Sequence, residues 1–289
     1  MRICKRIVGD RAVLAAKRGD GYVDLAVAAP DLPRELGALL RARPDVAAVQ
    51  RAVDAAPTAA LVDPRAPFAP PIADGAKILC LGLNYVDHAA EASYAKPEHP
   101  VVFTRFAQSF VGDHTPLEQP SVSTQLDYEA ELVVVIGRGG RHIPLASALE
   151  HVAGYTLMND GSVRDYQTRT PQWTLGKNFD RSGALGPDLV TADELPPGAR
   201  GLALAGRVNG RTVQAANTSD MVFDVATTIA ALSVALALEP GDLIAMGTPA
   251  GVGHARVPPL YLAPGDTFEV EIERVGVLHN PVAAERTSR

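Results

Sequence analysis

The stretch from Asp127 to Ile136, DYEAELVVVI, constrains the fold of this chain more than any other. Glu129 and Glu131 are separated by one small residue and precede a run of β-branched residues, which is typical of a strand. Side chains alternate between the two faces of a strand, so both glutamates point the same way. Two ionised carboxylates side by side repel each other, and a bound cation relieves that repulsion. The pattern therefore predicts a strand that begins at a cation site.

A third carboxylate strengthens this interpretation. The apolar run HVAGYTLMN leads into Asp160, and the GSVRD that follows is typical of a turn, so Asp160 lies at a strand end. Three carboxylates without a nearby cysteine or paired histidines indicate Mg²⁺, Mn²⁺ or Ca²⁺, with coordination positions left for water or substrate. Because Glu-x-Glu on a strand is common, the spacing alone leaves a solvated acidic strand edge as the alternative.

Composition limits what such a site can belong to. The chain has 289 residues, of which 47% are hydrophobic and 21% charged, so it can bury an ample core as one large domain or as a small and a larger one. Its net charge is −6, and no basic footprint favours nucleic acid or an anionic membrane as the main partner. We therefore expect small molecules or copies of the chain itself as partners.

The cysteines and the apolar runs of the sequence predict where in the cell the protein is located. Only Cys4 and Cys80 occur, which argues against a disulfide framework and predicts a reducing, cytoplasmic location. The first residues, MRICKRIVGDRAVL, are broken by charges and do not form a secretory signal. The longest apolar run, from Val225 to Leu238, is too short to span a bilayer and predicts a buried helix.

Proline and glycine cluster near residue 70, in DPRAPFAPPIADG, which is typical of a linker. We predict a small α+β domain over residues 1–70, with helices at Asp31–Arg43 and Asp45–Ala56, and a catalytic domain over residues 71–289. The expected fold class is α+β with mostly β structure.

The segment NYVDHAAEASY, which starts at Asn84, predicts a short helix. His88 and Glu91 are three residues apart and share a face of it. A histidine held by a carboxylate is a suitable general base, although an exposed histidine with a salt-bridge partner is the alternative. A short helix between a strand and a proline-rich loop is also typical of a mobile lid.

Three further segments have recognisable roles. Lys177, in TLGKNF, could supply positive charge to a dianionic substrate, or it could be an ordinary surface lysine. Asn209-Gly210 predicts a β-hairpin turn. Thr248 heads a glycine-rich turn in GDLIAMGTPAGVG, and such a turn can bring backbone N–H groups and a hydroxyl close to a carboxylate, although a tight corner between strands is the alternative.

In order along the chain, six motifs resemble the fumarylacetoacetate hydrolase family across about residues 75–285: NYVDHAAEA, DYEAELVVVIG, GYTLMNDGSVRD, TLGKNF, VNG and GDLIAMGTPAGVG. The resemblance implies mixed β-sheets rolled around a site, usually in a homodimer. It implies that Mg²⁺ or Mn²⁺ is ligated by Glu129, Glu131 and Asp160. It also implies that Lys177 and Thr248 contact the 2-oxo acid end of a substrate, with the His88–Glu91 pair on a lid.

Arg105 departs from the family pattern, because members often have lysine there. We expect Arg105 to bind substrate and to alter the distal pocket. The function implied is metal-dependent hydrolysis of a C–C bond in an acylpyruvate of the fumarylpyruvate or fumarylacetoacetate type, with His88 and Glu91 activating water and Lys177 holding the enolate. A 2-hydroxymuconate-type isomerase or 2-oxo acid decarboxylase in aromatic catabolism, and a non-catalytic metal-binding member, are the alternatives.

Overall fold

A computed structural model describes residues 1–87 and 97–286. The fold class is strand-rich α+β, as predicted. Its largest element is an 11-stranded sheet in the order β3-β2-β1-β13-β11-β10-β16-β5-β6, with β4 paired to β1 and β7 paired to β13. The strands of this sheet are β1 Arg2–Val8, β2 Arg11–Arg18, β3 Gly21–Asp24, β4 Phe68–Ala69, β5 Ile78–Gly82, β6 Val101–Thr104, β7 Phe110–Val111, β10 Ala130–Ile136, β11 Val152–Asn159, β13 Gly183–Thr191 and β16 Leu243–Ala245.

A second sheet of five strands has the order β15-β14-β17-β18-β8, and β9 and β12 form a two-stranded ribbon. These strands are β8 Leu117–Gln119, β9 Leu126–Asp127, β12 Ser162–Val163, β14 Ala203–Val208, β15 Arg211–Asn217, β17 Thr267–Ile272 and β18 Gly276–Ala284. The predicted hairpin lies between β14 and β15. Asn209 and Gly210 both have positive φ angles, 50° and 76°, which a turn of this kind requires.

The helices of the described chain are short. The α-helices that lie wholly within the described residues are α1 Leu25–Ala28, α2 Leu36–Ala42, α3 Val46–Ala55, α4 Arg164–Gln167, α5 Thr174–Lys177 and α6 Val225–Ala235. The predicted helix over Asp31–Arg43 begins later, because the Glu35 carboxylate accepts the backbone N–H groups of residues 37 and 38 and caps α2 at its N-terminus. In α6 the face with Val225, Ile229 and Leu232 is buried as predicted, but Leu236 is 37% exposed because the helix ends before it.

The residues of β10 divide between two cores. Leu132, Val134 and Ile136 face one cluster of buried apolar side chains, and Val133 and Val135 face the other. A strand covered on both faces reads as a continuous apolar run, which is what LVVVI is. Burial on both faces fixes the start of β10 firmly, and the two glutamates lie there.

The N-terminal strands extend the large sheet rather than forming a sheet of their own. Strand β1 pairs antiparallel with β13, with Arg2 opposite Val190. The division at residue 70 stays a prediction. Cys4 and Cys80 are both buried and free, consistent with the expectation that they form no disulfide framework. No helix in residues 1–87 or 97–286 has the length and apolar character needed to cross a membrane.

Candidate metal centre

Two adjacent strand ends form the backbone frame of the site. Strands β10 and β11 are antiparallel neighbours, and Glu131 lies opposite Met158. The backbone N–H of Asp160 donates to the carbonyl of Glu129 at 2.9 Å, and the N–H of Glu129 donates to the side-chain oxygen of Asn159 at 3.0 Å. The start of one strand and the end of the next are therefore joined directly.

This frame brings together the three carboxylates predicted from the sequence. One oxygen each from Glu129, Glu131 and Asp160 lie within 4.8 Å of one another, and all three side chains are buried. In the part of the chain that the structure describes, this is the only group of three or more potential ligands that lie so close together. Carboxylate oxygens at this spacing fit a hard divalent cation such as Mg²⁺, Mn²⁺ or Ca²⁺. The solvated strand edge does not describe side chains this deeply buried.

Of the three carboxylates, that of Glu131 has the fewest hydrogen bonds with described residues. Its side chain accepts one, from the backbone N–H of Gly247 at 3.0 Å. Burial raises the pKa of Glu131 well above the ordinary glutamate value, and the neighbouring charges of Asp160 and Glu129 add to the rise. Gly247 has a φ of +85°, and a Cβ there would lie 2.9 Å from the Cβ of Asn84. Only glycine lets this N–H approach the carboxylate.

Lys177 closes one side of the triad. It is the last residue of α5, its side chain is buried, and its Nζ donates to Glu129 Oε2 at 2.8 Å and to Asp160 Oδ2 at 2.7 Å. Burial opposes the charge on this ammonium group, but the carboxylates of Asp160 and Glu129 outweigh burial, so the pKa of Lys177 is raised. The ammonium form therefore persists at neutral pH. The surface alternative for Lys177 does not apply.

Arg164 closes the other side, and sequence reasoning missed it. Its Nη2 lies 2.7 Å from Glu129 Oε1, its Nε donates to Asp127 Oδ2 at 2.7 Å, and its Nη1 donates to Gln167 Oε1 at 2.8 Å. Asp127 is fully buried and also accepts the backbone N–H groups of Gly253 and residue 254 at 2.7 and 2.9 Å. A signal existed, because Asp127 opens the DYEAE motif and Arg164 follows Asp160 by four residues.

Arg105 was predicted to bind substrate, and in the structure its guanidinium group lies among buried protein oxygens. Its side chain has no solvent exposure, and its Nη1 donates to Asp160 Oδ1 at 2.7 Å, on the side away from Lys177. Arg105 therefore lies behind a candidate metal ligand. Its other donors all contact protein oxygens.

Thr248 lies beside the strand that carries the glutamates. Its hydroxyl donates to the carbonyl of Ala130 at 3.1 Å and accepts from Gln214 Nε2 at 2.8 Å. The side-chain oxygen of Gln214 accepts the backbone N–H of Ala130 at 3.0 Å. Gln214 therefore bonds both Ala130 and Thr248 and holds them together. Contact between Thr248 and a substrate stays a prediction.

A cavity of about 330 Å³ adjoins the turn that follows Thr248. Tyr85 lines it with its ring buried, and its hydroxyl has no hydrogen-bond partner among the described residues. Burial raises the pKa of Tyr85, and the charges of Glu131 and Asp220 contribute. Since a buried hydroxyl without a partner is costly, this group is suited to a ligand atom. The other lining residues are Val86, Asp87, Ala215, Ala216, Asp220, Pro249 and Ala250.

The histidine and glutamate predicted to act as general base and orienting group, His88 and Glu91, lie among residues 88–96, outside the described residues. Their roles as base and orienting carboxylate stay predictions.

The buried charges of this cluster are nearly balanced. Four carboxylates, on Asp127, Glu129, Glu131 and Asp160, lie among three cations, on Arg105, Arg164 and Lys177. A divalent cation would turn the excess of one negative charge into an excess of one positive charge. That excess would favour a bound anion.

The sequence and the fold of this chain are similar to those of known proteins. Residues 77–283 match the family model of the fumarylacetoacetate (FAA) hydrolase C-terminal domain. The chain is 40% identical over 278 residues to oxaloacetate tautomerase FAHD2A, mitochondrial, of Homo sapiens, an alignment that covers 96% of this chain and 88% of that protein.

Two solved structures are also similar. A fumarylacetoacetate hydrolase from psychrophilic Exiguobacterium antarcticum has a TM-score of 0.85 and 34% identity, with 99% of this chain and 100% of that chain covered. Fumarylpyruvate hydrolase from Pseudomonas aeruginosa in complex with Mn²⁺ and pyruvate has a TM-score of 0.67 and 33% identity, with 77% of this chain and 93% of that chain covered.

Proposed function

Because this chain belongs to the fumarylacetoacetate hydrolase family, we propose that it is a divalent-metal-dependent enzyme that interconverts the keto and enol forms of an oxaloacetate-type 2-oxo acid. The observation that carries the proposal is the buried carboxylate triad with Lys177 across two of its members. The sequence alone favoured C–C bond hydrolysis. The similarity to an oxaloacetate tautomerase along 96% of the chain favours tautomerisation instead.

A divalent cation held by Glu129, Glu131 and Asp160 would supply a Lewis acid for the carboxylate and keto oxygen of the substrate. Either Mg²⁺ or Mn²⁺ suits the three carboxylates, and the presence of Mn²⁺ in the similar fumarylpyruvate hydrolase supports the second. Substrate and solvent would complete the coordination.

Lys177 acts as a hydrogen-bond donor in this reaction. Burial opposes the charge on this group, but the carboxylates of Asp160 and Glu129 raise its pKa, which favours the role of a donor over that of a base. It stabilises the negative charge that develops on the C2 oxygen when C3 loses a proton. Each such contact contributes about 2.7–4 kcal/mol in comparable oxyanion sites.

The base is His88, oriented by Glu91, as the sequence predicts. It takes a proton from C3, the electron pair of that C–H bond forms the C2–C3 double bond, and the C2 oxygen then accepts a proton. Reversal of these steps gives the keto form. No bond between carbon atoms breaks, so water is not consumed.

Hydrolysis of an acylpyruvate is the second candidate. The specific support is the similarity to fumarylpyruvate hydrolase bound to Mn²⁺ and pyruvate. This reaction requires a water molecule to add to the distal carbonyl before the C–C bond breaks. The same histidine would deprotonate that water.

One experiment separates the two reactions. The protein is mixed in D₂O with Mn²⁺ and either oxaloacetate or acetylpyruvate, and NMR follows deuterium at C3 and the appearance of free pyruvate. We expect deuterium exchange of oxaloacetate well above the rate with Mn²⁺ alone, abolished by EDTA and by Glu131→Gln. Pyruvate release from acetylpyruvate without faster exchange of oxaloacetate would favour the hydrolase, and the absence of both would contradict the metal-dependent enzyme.

A further inference from the structure

Arg105 lies immediately after β6 in a pocket built for a guanidinium group. Its five N–H groups face five oxygen atoms, so no donor is left over. The acceptors are Ser109 Oγ at 3.1 Å from Nε, Asp160 Oδ1 at 2.7 Å and the Gly161 carbonyl at 3.1 Å from Nη1, and Ser182 Oγ at 3.0 Å and the Ser109 carbonyl at 3.4 Å from Nη2.

The surrounding side chains fit this group closely. The guanidinium carbon lies 4.3 Å from the ring centroid of Phe110, within the range of a cation–π contact. A Cβ on Gly183 would lie only 2.8 Å from both Nη1 and Nη2, so a glycine leaves the room that the guanidinium occupies. The side chain cannot move toward a substrate without breaking several buried hydrogen bonds.

The contact with Asp160 is the one that concerns the metal centre. Arg105 binds Oδ1 and Lys177 binds Oδ2, so two cations hold the two oxygens of one fully buried carboxylate. Partners of this kind fix the orientation of a ligand and are commonly worth a factor of about 10–100 in metal affinity. Ser109 and Ser182 in turn fix the guanidinium.

We propose that Arg105 is a positioning residue for Asp160, and that it sets the affinity of the metal centre instead of contacting substrate. The inference rests on the metal-binding part of the proposed function, and it is independent of which 2-oxo acid reacts.

The test measures metal affinity without substrate, so it remains valid even if no 2-oxo acid is turned over. Calorimetry with Mn²⁺ on the full chain, stripped of metal, compares wild type with Arg105→Gln and Arg105→Lys. We expect Arg105→Gln to raise the dissociation constant about tenfold or more. Arg105→Lys should recover most of the affinity, because its charge still reaches Asp160.

Arg6 provides a matched control. It is also a buried arginine: it donates to the backbone carbonyls of Asp63, Pro64 and Ala66, and its guanidinium carbon lies 4.0 Å from the ring centroid of Phe68. Arg6→Gln should lower the melting temperature and leave Mn²⁺ affinity within about twofold of wild type. A purely structural role for Arg105 would give the same result for Arg105→Gln.

Three outcomes would overturn the proposal. They are wild-type Mn²⁺ affinity in folded Arg105→Gln, equal affinities of the glutamine and lysine variants, and a change in KM for oxaloacetate with no change in Mn²⁺ affinity. Should Arg105→Gln not fold, Ser182→Ala provides the test, because it removes one acceptor of the guanidinium. It should weaken Mn²⁺ binding several-fold, and unchanged affinity would again overturn the proposal.

Discussion

Glu129 lies between two cations, and that position makes it the most informative ligand candidate. Lys177 and Arg164 each bind one of its oxygens, at 2.8 and 2.7 Å. Glu129→Gln removes a negative charge that a divalent cation needs and takes one of two carboxylate partners from each cation, since Lys177 keeps Asp160 and Arg164 keeps Asp127. We expect Mn²⁺ affinity to fall by about tenfold or more, measured by calorimetry, since even indirect partners of a metal are worth that much.

The control for this substitution is Glu150→Gln. Glu150 is exposed and pairs with the exposed Arg138 at 3.6 Å, and such surface pairs contribute about 0–1 kcal/mol to stability. This variant should bind Mn²⁺ as wild type does. Unchanged affinity in Glu129→Gln would remove that residue from the ligand set.

The positions of some site residues could be predicted from the sequence, and those of others could not. The alternation of a strand was enough to place Glu129 and Glu131 together, and the strand end was enough for Asp160. The contact between Asp127 and Arg164 could not be read in the same way. It spans 37 residues and depends on the pairing of β9 with β12, where Ser162 lies opposite Asp127.

Asp127 joins three elements by one carboxylate. It ends β9, it accepts the Nε–H of Arg164 in α4, and it accepts two backbone N–H groups from the turn at residues 253–254. Asp127→Asn would leave one acceptor oxygen and would direct an amide donor at other donors. Breaking a buried ion pair in this way costs about 3–5 kcal/mol.

Denaturant unfolding measures that cost as a fall in the free energy of unfolding. Asp54→Asn is the matched control, since Asp54 is exposed on α3 and makes a hydrogen bond only with Gln50 among the described contacts. Its effect should stay within about 0.5 kcal/mol. A loss below about 1 kcal/mol in Asp127→Asn would show that the turn and α4 do not depend on this carboxylate.

The hairpin and the helices could be predicted from local sequence signals, whereas the order of the strands in the sheets could not. Asn209-Gly210 specifies its own turn, and Asp45 and Asp224 cap α3 and α6 through backbone N–H groups, so hairpin and helices were within reach of the sequence. The pairing of β1 with β13 joins residues nearly 190 positions apart. Such pairing is decided by packing of the complete core, which no local pattern encodes.

At the scale of the whole molecule, Asp188 lies where the N-terminal strands meet the rest of the large sheet. It belongs to β13, lies opposite Cys4 of β1 and accepts the hydroxyl of Tyr22 at 2.8 Å. Burial raises the pKa of Asp188 above the ordinary aspartate value, although Tyr22, Lys17 and Arg2 act against the rise. Folding therefore favours the protonated form of this group.

The raised pKa of Asp188 makes the free energy of unfolding depend on pH. An unfolded aspartate ionises near about pH 3.9. Below that pH both states hold the proton, and the contribution of Asp188 to stability is fully present. As the pH rises through the folded pKa, that contribution is lost, because the buried carboxylate must then ionise. The free energy of unfolding should thus contain a component that decreases with pH above about 4.

Asp188→Asn removes the ionisable group and keeps an acceptor for Tyr22, so its stability should lack this component. Denaturant unfolding of wild type and variant at half-unit steps from about pH 4 upward measures the difference. The variant should gain relative to wild type as the pH rises, by about 1.4 kcal/mol for each unit of pKa difference between the folded and unfolded states. Asp193→Asn, which replaces an exposed aspartate near the end of the same strand, is the surface control. A difference between Asp188→Asn and wild type that does not change with pH would mean that the junction between β1 and β13 accommodates an ionised carboxylate without cost.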